Sequence, residues 1–395
     1  MLLFKYQKPG NLEFTMLRQG QVYFASRSEL NDSNEGRPYF VLNGKPVLWR
    51  KLVEYLLQEA NQSSNDDYNR ICKSTIDKTA CLVSEKLKII TQNKDIPLNK
   101  LYHTIKCPLT DLLNALLSKR ELSELLDTIK TTINGLPQKL EETLYISSFS
   151  TCATNPTMWG HYGGAETGFI TIYTSPDDHV KICSPFKLFQ GTQGFFGFTF
   201  RQECNLKLME VGYSDSPPTI NAFYSLIPIF NYSSHEEKLD YREKISRLVM
   251  QREEDSLGTV KYTDWKYEKE IRLLLPRRIA CWKLEPEARI MNVNSEHITG
   301  VILGPSMCKE DERRVFACCL ALKESRNMSP YQHIALFKAS RQDTKYELEI
   351  RPVGTIDGDY RSDSGFSIRP LVHLTQTQAD KIRKLADDIN TQSRL

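Results

Sequence analysis

Between residues 46 and 142 the apolar residues of the chain recur every third or fourth position, whereas on either side they gather into short runs of aromatic and β-branched residues. Leu48, Leu52 and Leu56 share one helical stripe, and Leu109, Leu112, Leu113, Leu116 and Leu117 form another. A period near 3.6 buries one side of a helix and a period of 2 one face of a strand, so the two patterns cannot belong to one kind of element. The chain is therefore expected to be α+β, with a mixed, mainly antiparallel sheet core and a large helical insertion. Residues 1–45 would supply N-terminal strands of the core, 46–142 the insertion, 143–305 the main α+β core, and 306–395 a C-terminal α/β extension packed on it. With 395 residues, 40% of them apolar, there is core enough for two compact domains or for one domain with such an insertion.

In the first zone LLFKY and QVYFAS read as strands around a short helix, and their pairing would set Lys5 and Tyr6 on an adjacent strand. YISSFS, GFITIY, KLMEVGYS, EIRLLLP and ITGVILG read as strands of the main core, with an amphipathic helix near 235–253 between them. The last zone predicts a helix at 309–323, strands at HIALFKA and YELEIRPV, and a charged terminal helix near 377–391. Inside the insertion NQSSNDD reads as a loop, and Thr110 or Asp111 as the cap of a helix opening at TDLL.

Charge and motifs exclude several functions. Lys and Arg number 52 against 49 Asp and Glu, a formal charge of +3 without a basic block, so an extended nucleic-acid arm is not expected, although a local basic groove stays open. Ten cysteines without a CxxC pair, no leading signal region and no apolar run of spanning length point to reduced thiols in a cytoplasmic protein away from membranes. GxGxxG, GxxxxGK[ST], HExxH and GxSxG are all missing. His235 precedes Glu236 and Glu237 but has no second histidine four residues on, so it reads as a solvated helix start and no metal is expected.

The segment WKYEKEIRLLLP, residues 265–276, carries chemistry instead. In a regular strand Glu268, Glu270 and Arg272 share one face and Lys269, Ile271, Leu273 and Leu275 the other. Two carboxylates roughly 6.5–7 Å apart raise one another's pKa, and Arg272 restrains the rise. The same face also fits an ordinary surface ion ladder with no chemistry. In YISSFSTCATNPTMWGHYGGAETGFITIY, Ser148 and Ser150 share a strand face; after a turn at Asn155-Pro156, Trp159, His161 and Tyr162 offer flat faces and donors. Trp159 equally suits a core plug and His161 a framework hydrogen bond. Asn31, Asp32 and Glu35 cluster in a turn after a strand, where short polar side chains cap backbone amides.

The order of Lys5-Tyr6, FAS with Asn31-Asp32 and a glutamate, SFS, MWGHY, Val211 to Tyr213, WKYEKEIRLL and a late VILG resembles a widespread bacterial family known as a domain of unknown function, often encoded near phage-defence genes. The likeness spans nearly the whole chain, which has Asn31-Asp32-Ser33 where that family usually has Asn-Asp-Pro. A serine-bearing strand followed much later by Glu-x-Glu entering an aliphatic strand is, in turn, similar to the core of mono-ADP-ribosyltransferases. That similarity implies NAD as substrate without a metal, with Glu270 at the catalytic glutamate, Glu268 at the upstream glutamate and Ser148 or Ser150 at the serine motif. Lys5 or Tyr6 stands where those enzymes use Arg, His or another ligand-binding residue, though this first strand has neither Arg nor His. Asn31, Trp159, His161, Tyr162 and Arg272 complete the ligand-binding set so implied, with Trp159 or Tyr162 against the nicotinamide.

Cleavage of the nicotinamide–ribose bond develops positive charge on the sugar, which a fixed carboxylate such as Glu270 would stabilise while Glu268 orients or deprotonates the acceptor. The expected activity is a NAD-consuming transferase or glycohydrolase, a toxin of anti-phage defence, with a nucleic-acid or protein acceptor and a defence-system partner protein. Two other classes fit the residue types: a sensor that binds a nucleotide or phage component without turnover, and a metal-dependent nuclease using Asp264, Glu268, Glu270 and Lys269.

Overall fold

The computed structural model describes residues 1–62, 71–91, 94–141, 144–183, 204–226, 230, 257–275, 284–325, 333–357 and 368–394. The expected helix at 235–253 with His235, most of the NQSSNDD loop, and Pro276 lie outside the described residues. The chain forms two compact units: one of residues 1–35, 143–215 and 258–395, the other of 36–142 and 216–257. The helical segment is thus joined by a stretch that sequence alone places in the main core, because Thr219–Asn221 pairs in parallel with Tyr39–Leu42.

In the second unit, helices Pro46–Gln62, Lys73–Thr91, Leu101–Leu113 and Lys119–Glu141 bury Leu48, Leu52, Leu56, Leu109 and Leu113 of the expected stripes, but the second stripe stops with its helix: Leu116 and Leu117 lie beyond Leu113, and Leu116 is exposed. The expected cap at Thr110 or Asp111 is corrected: both lie inside Leu101–Leu113, and the Thr110 hydroxyl donates back to the Lys106 carbonyl at 2.9 Å. The working cap is at Ser118, whose amide donates to Glu121 at 2.8 Å while its hydroxyl accepts from the Glu121 amide. This S-x-x-E reciprocity opens the next helix.

The first unit is built on strands β1 (Leu2–Gln7), β2 (Ala25–Ser26), β3 (Tyr145–Ser150), β4 (Phe169–Thr174), β5 (Met209–Glu210), β6 (Glu270–Leu274), β7 (Ile298–Leu303), β8 (Ile334–Ser340), β9 (Glu349–Ile356) and β10 (Ile368–Pro370). They form one sheet in the order β5-β6-β3-β1-β4-β7-β8-β9-β10, with β2 also on β3; β7 and β8 are parallel and the other pairs antiparallel. Helices Asn11–Gln19 and Lys309–Ser325 cover one face through Phe14, Leu17, Val315 and Phe316, and helix Gln376–Arg394 covers the other through Ile382, Ala386 and Ile389. The mixed, mainly antiparallel α+β core is as the periodicity predicts.

Three local expectations change. QVYFAS splits: Gln21–Tyr23 pairs with Ile290–Val293, and only Ala25–Ser26 joins the large sheet, against β3 rather than β1. KLMEVGYS breaks into pieces that pair with three different strands, His179–Cys183, β6 and Val260–Lys261. The turn at Asn155-Pro156 starts a short helix, Pro156–His161, with Asn155 accepting from the Thr157 amide at 2.8 Å.

Candidate functional site

The site begins where one strand edge is left partly unpaired. β3 is laddered to β6 from Ile146 to Ser150, but on its other edge β1 meets it at Ser150 and β2 at Tyr145 and Ile146. Ser148 falls between the two partners, and the Lys5 ammonium takes the place of a strand there, donating to the Ser148 carbonyl at 2.8 Å and to Ser147 Oγ at 3.3 Å. A cleft of about 420 Å³ opens over this gap. Lys5 also lies 5.1 Å from the Phe149 ring centre, and burial, opposed by the charge of Glu270, lowers its pKa to about 8.

The glutamates reach the cleft by a route that differs from a regular strand. Thr263–Glu268 is a 3-10 helix, Lys269 follows with φ 45°, and the strand starts only at Glu270. The left-handed turn costs a non-glycine residue roughly 1–3 kcal/mol and sets Glu268 and Glu270 on either side of the bend. It is pinned from β3: Ser150 Oγ donates to the Glu268 carbonyl at 2.5 Å, and the Thr151 amide to the Lys269 carbonyl at 3.0 Å. Ser150 Oγ also accepts from the Cys152 amide at 3.0 Å, so this hydroxyl is a brace for the turn. Lys269 points away, its ammonium donating to the Ser393 carbonyl at 3.2 Å.

Three buried carboxylates and two buried cations meet at the cleft floor. Lys261 Nζ lies 2.6 Å from Glu268, 3.4 Å from Glu270 and 3.5 Å from Glu35. Arg272 holds Glu270 through Nε at 2.8 Å and a second nitrogen at 2.7 Å, pairs with Glu35, and donates to the Gly258 carbonyl at 2.6 Å. Glu35 is delivered by the turn at 31–35, where Asp32 accepts from the Asn34 amide at 2.8 Å and Arg27 holds the Glu35 carbonyl at 2.9 Å. Lys261 is set by the parallel pairing of Val260–Lys261 with Gly212–Tyr213, and the Tyr213 hydroxyl accepts from the Glu270 amide at 3.0 Å.

This environment drives the two glutamates apart. Burial opposes the charge on both. For Glu270 the Arg272 guanidinium outweighs burial by charge and hydrogen bond and, with Lys261 and Ser148, holds the carboxyl near 2. For Glu268 burial prevails over Lys261 and Tyr162, and the charge of Glu270 adds to it, so its pKa lies above the ordinary 4.5. The Tyr162 hydroxyl donates to Glu268 at 2.6 Å and shares a hydrogen bond with Asn31; burial and the Glu268 carboxylate push that phenol well up.

Lys5, Tyr6, Asn31, Ser148, Ser150, His161, Tyr162, Glu268, Glu270 and Arg272 all line the cleft. Trp159 does not. It is fully buried, its indole N–H donates to the Ala153 carbonyl at 2.8 Å, and its ring meets Tyr6 edge-on at 5.3 Å, so it plugs the core and offers no face to a nicotinamide. Arg272 is equally buried and spends its donors on Glu270, Glu35 and Gly258, so it acts on a ligand only through the carboxylates. The Tyr6 hydroxyl donates to the Cys152 carbonyl at 2.8 Å, leaving its ring as cleft wall. Lys261 escapes the sequence reading, and Glu35, read there as part of a capping turn, instead pairs with Lys261 and Arg272. The signal for Lys261 was a lysine on a short strand beside Tyr262 and Trp265, its ammonium 4.8 Å from the Trp265 ring centre.

The arrangement supplies one carboxylate kept ionised, one carboxyl of raised proton affinity and a phenol bound to it. Among the described residues no group of three His, Cys, Asp or Glu is placed to hold a metal ion, and no helix is long and apolar enough to cross a membrane. Residues 158–273, which include every site residue from His161 to Arg272, match the model of a family described as a protein of unknown function (DUF2971). No curated protein and no solved structure matches the chain.

Proposed function

We propose that the cleft binds a ribosyl dinucleotide and breaks its N-glycosidic bond, with NAD as substrate. The observation that carries this reading is the split of the glutamate pair at the cleft floor, since titratable neighbours pushed to opposite sides of their ordinary pKa divide the work of charge stabilisation and proton transfer. As the C1′–N bond breaks, its electron pair passes to the nicotinamide nitrogen and the ribose gains positive charge, which ionised Glu270 stabilises. Glu268, the stronger base, takes the proton of the incoming water as its oxygen bonds C1′, and Tyr162 and Lys261 hold that carboxylate in place. A nucleic-acid or protein nucleophile in place of water makes the same step a transfer. Depletion of a cellular NAD pool suits a toxin of anti-phage defence acting in the cytoplasm, with a partner protein as its trigger.

A binding-only reading is favoured by one observation. Each of the three carboxylates already contacts a cation, as in a structural ion network. A nuclease draws no support from Lys269, whose ammonium is turned to Ser393. The full-length protein incubated with NAD separates these readings. Free nicotinamide should appear, Glu270→Gln should lower its rate on the order of 100-fold or more, and Tyr162→Phe, which leaves the ion network intact, about tenfold. ADP-ribose binding by a wild-type protein that releases no nicotinamide would establish the sensor instead.

A further inference from the structure

Beside the cleft stands a group of aromatic side chains that the bond-breaking chemistry does not use. Trp265 and Tyr267 lie 6.0 Å apart with their planes inclined by 37°, and the His161 ring stands 6.0 Å from Tyr267 at 69°. His161 Nδ1 and the Tyr267 hydroxyl share a hydrogen bond of 3.0 Å, while Asn155 Nδ2 donates to the Tyr267 carbonyl at 3.1 Å, fixing the corner the rings make. His161 is exposed, and Trp265 and Tyr267 are half-buried. The large aromatics with a packing role here, Trp159 and Phe4, are fully buried.

One side of Trp265 is taken by the Lys261 ammonium, 4.8 Å from the ring centre, which leaves the exposed part of the indole to solvent. His161 joins this corner to the cleft, since it lines the cleft beside Tyr162. Its Nε2 makes no hydrogen bond among the described residues. A partly exposed indole beside an imidazole nitrogen matches a purine base, which has a π-face to stack and an edge of donors and acceptors. The chain has a net charge of only +3, which suits a single nucleotide better than a polynucleotide track.

We propose that Trp265, Tyr267 and His161 form a nucleobase subsite that takes the adenine of the dinucleotide whose ribose is attacked at Glu270, an assignment that rests on the function proposed above. Calorimetric titration of the full-length protein with ADP-ribose and with ribose 5-phosphate, which lacks the base, tests it. Trp265→Ala should weaken ADP-ribose about tenfold or more, leave ribose 5-phosphate unchanged, and be largely rescued by Trp265→Phe. Equal weakening of both ligands, or a wild-type protein that does not bind ADP-ribose, overturns the subsite even if nicotinamide is released. Binding of an unstructured oligoadenylate through Trp265 without ADP-ribose binding overturns it in favour of a polynucleotide. If instead the selective loss appears in a protein that releases no nicotinamide, the subsite stands and the glycosidic reading falls.

Discussion

Two ion clusters in the same structural unit have similar members and opposite settings. Glu312 receives Lys309 at 2.9 Å and Lys338 at 2.8 Å, yet the Lys309 side chain is 82% exposed. At the cleft floor Arg272 and Glu270 approach to 2.7 Å with side chains 0% and 6% exposed. Glu312 itself is buried, its side chain 10% exposed, and water reaches the first cluster through Lys309, so the Lys309 pair is screened and worth little. The second cluster has given up that hydration, so its members depend on one another and any imbalance falls on the member with the weakest partners. That member is Glu268. The contrast explains why the cluster in the cleft has one carboxyl above and one below the ordinary range, whereas Glu312 is simply lowered, with burial overcome by its two lysines.

Removing a buried cation should break the contrast most sharply. Arg272→Met strands Glu35 and Glu270 without their guanidinium and is expected to cost about 3–5 kcal/mol, read as a fall in the urea midpoint at constant slope. A loss below about 1 kcal/mol would mean that the cleft cluster behaves like the exposed Lys309 pair.

Acid comes next. The folded pKa of Glu270 is near 2, below its ordinary 4.5, so its stabilising share is present above pH 4.5 and disappears as the pH falls toward 2. The sign is the reverse for Glu268, whose raised pKa means the folded state gains relative stability as it takes up a proton. Wild type should therefore lead Glu270→Gln by about 3 kcal/mol or less at neutral pH, with the gap closing between pH 5 and 2 in denaturant titrations. A gap independent of pH would place the effect in packing.

The smallest change belongs to the exposed lysine of the Glu312 cluster. Lys309→Met should shift stability by no more than about 1 kcal/mol, and less in high salt, because Lys309 is 82% exposed and Lys338 stays on Glu312. A salt-insensitive loss of several kcal/mol at this position would erase the distinction between the clusters.

Pleat geometry made half of the site legible. Alternation alone put Glu270 with Arg272 and Ser148 with Ser150, and the pairing of Glu270 with Ser150 and Arg272 with Ser148 in β3–β6 brings the two motifs together. Glu268 arrives for a different reason: a period of 2 extended through residues 265–270 gives the same neighbours as the left-handed bend at Lys269, so the sequence alone could not tell the two apart. Lys261 was hidden because a buried lysine is defined by the carboxylates around it, which come from residues 35, 268 and 270. Trp159 is ambiguous in the sequence because an aromatic among glycines reads alike as core plug and ligand face; only its burial decides.

Site-resolved titration of the Glu268 and Glu270 carboxyl carbons by NMR, assigned by Glu268→Gln and Glu270→Gln, tests the split pair most directly. One carboxyl should titrate above 4.5 while its neighbour stays ionised down to about pH 2. Two carboxyls with a shared inflection in the ordinary range would contradict it.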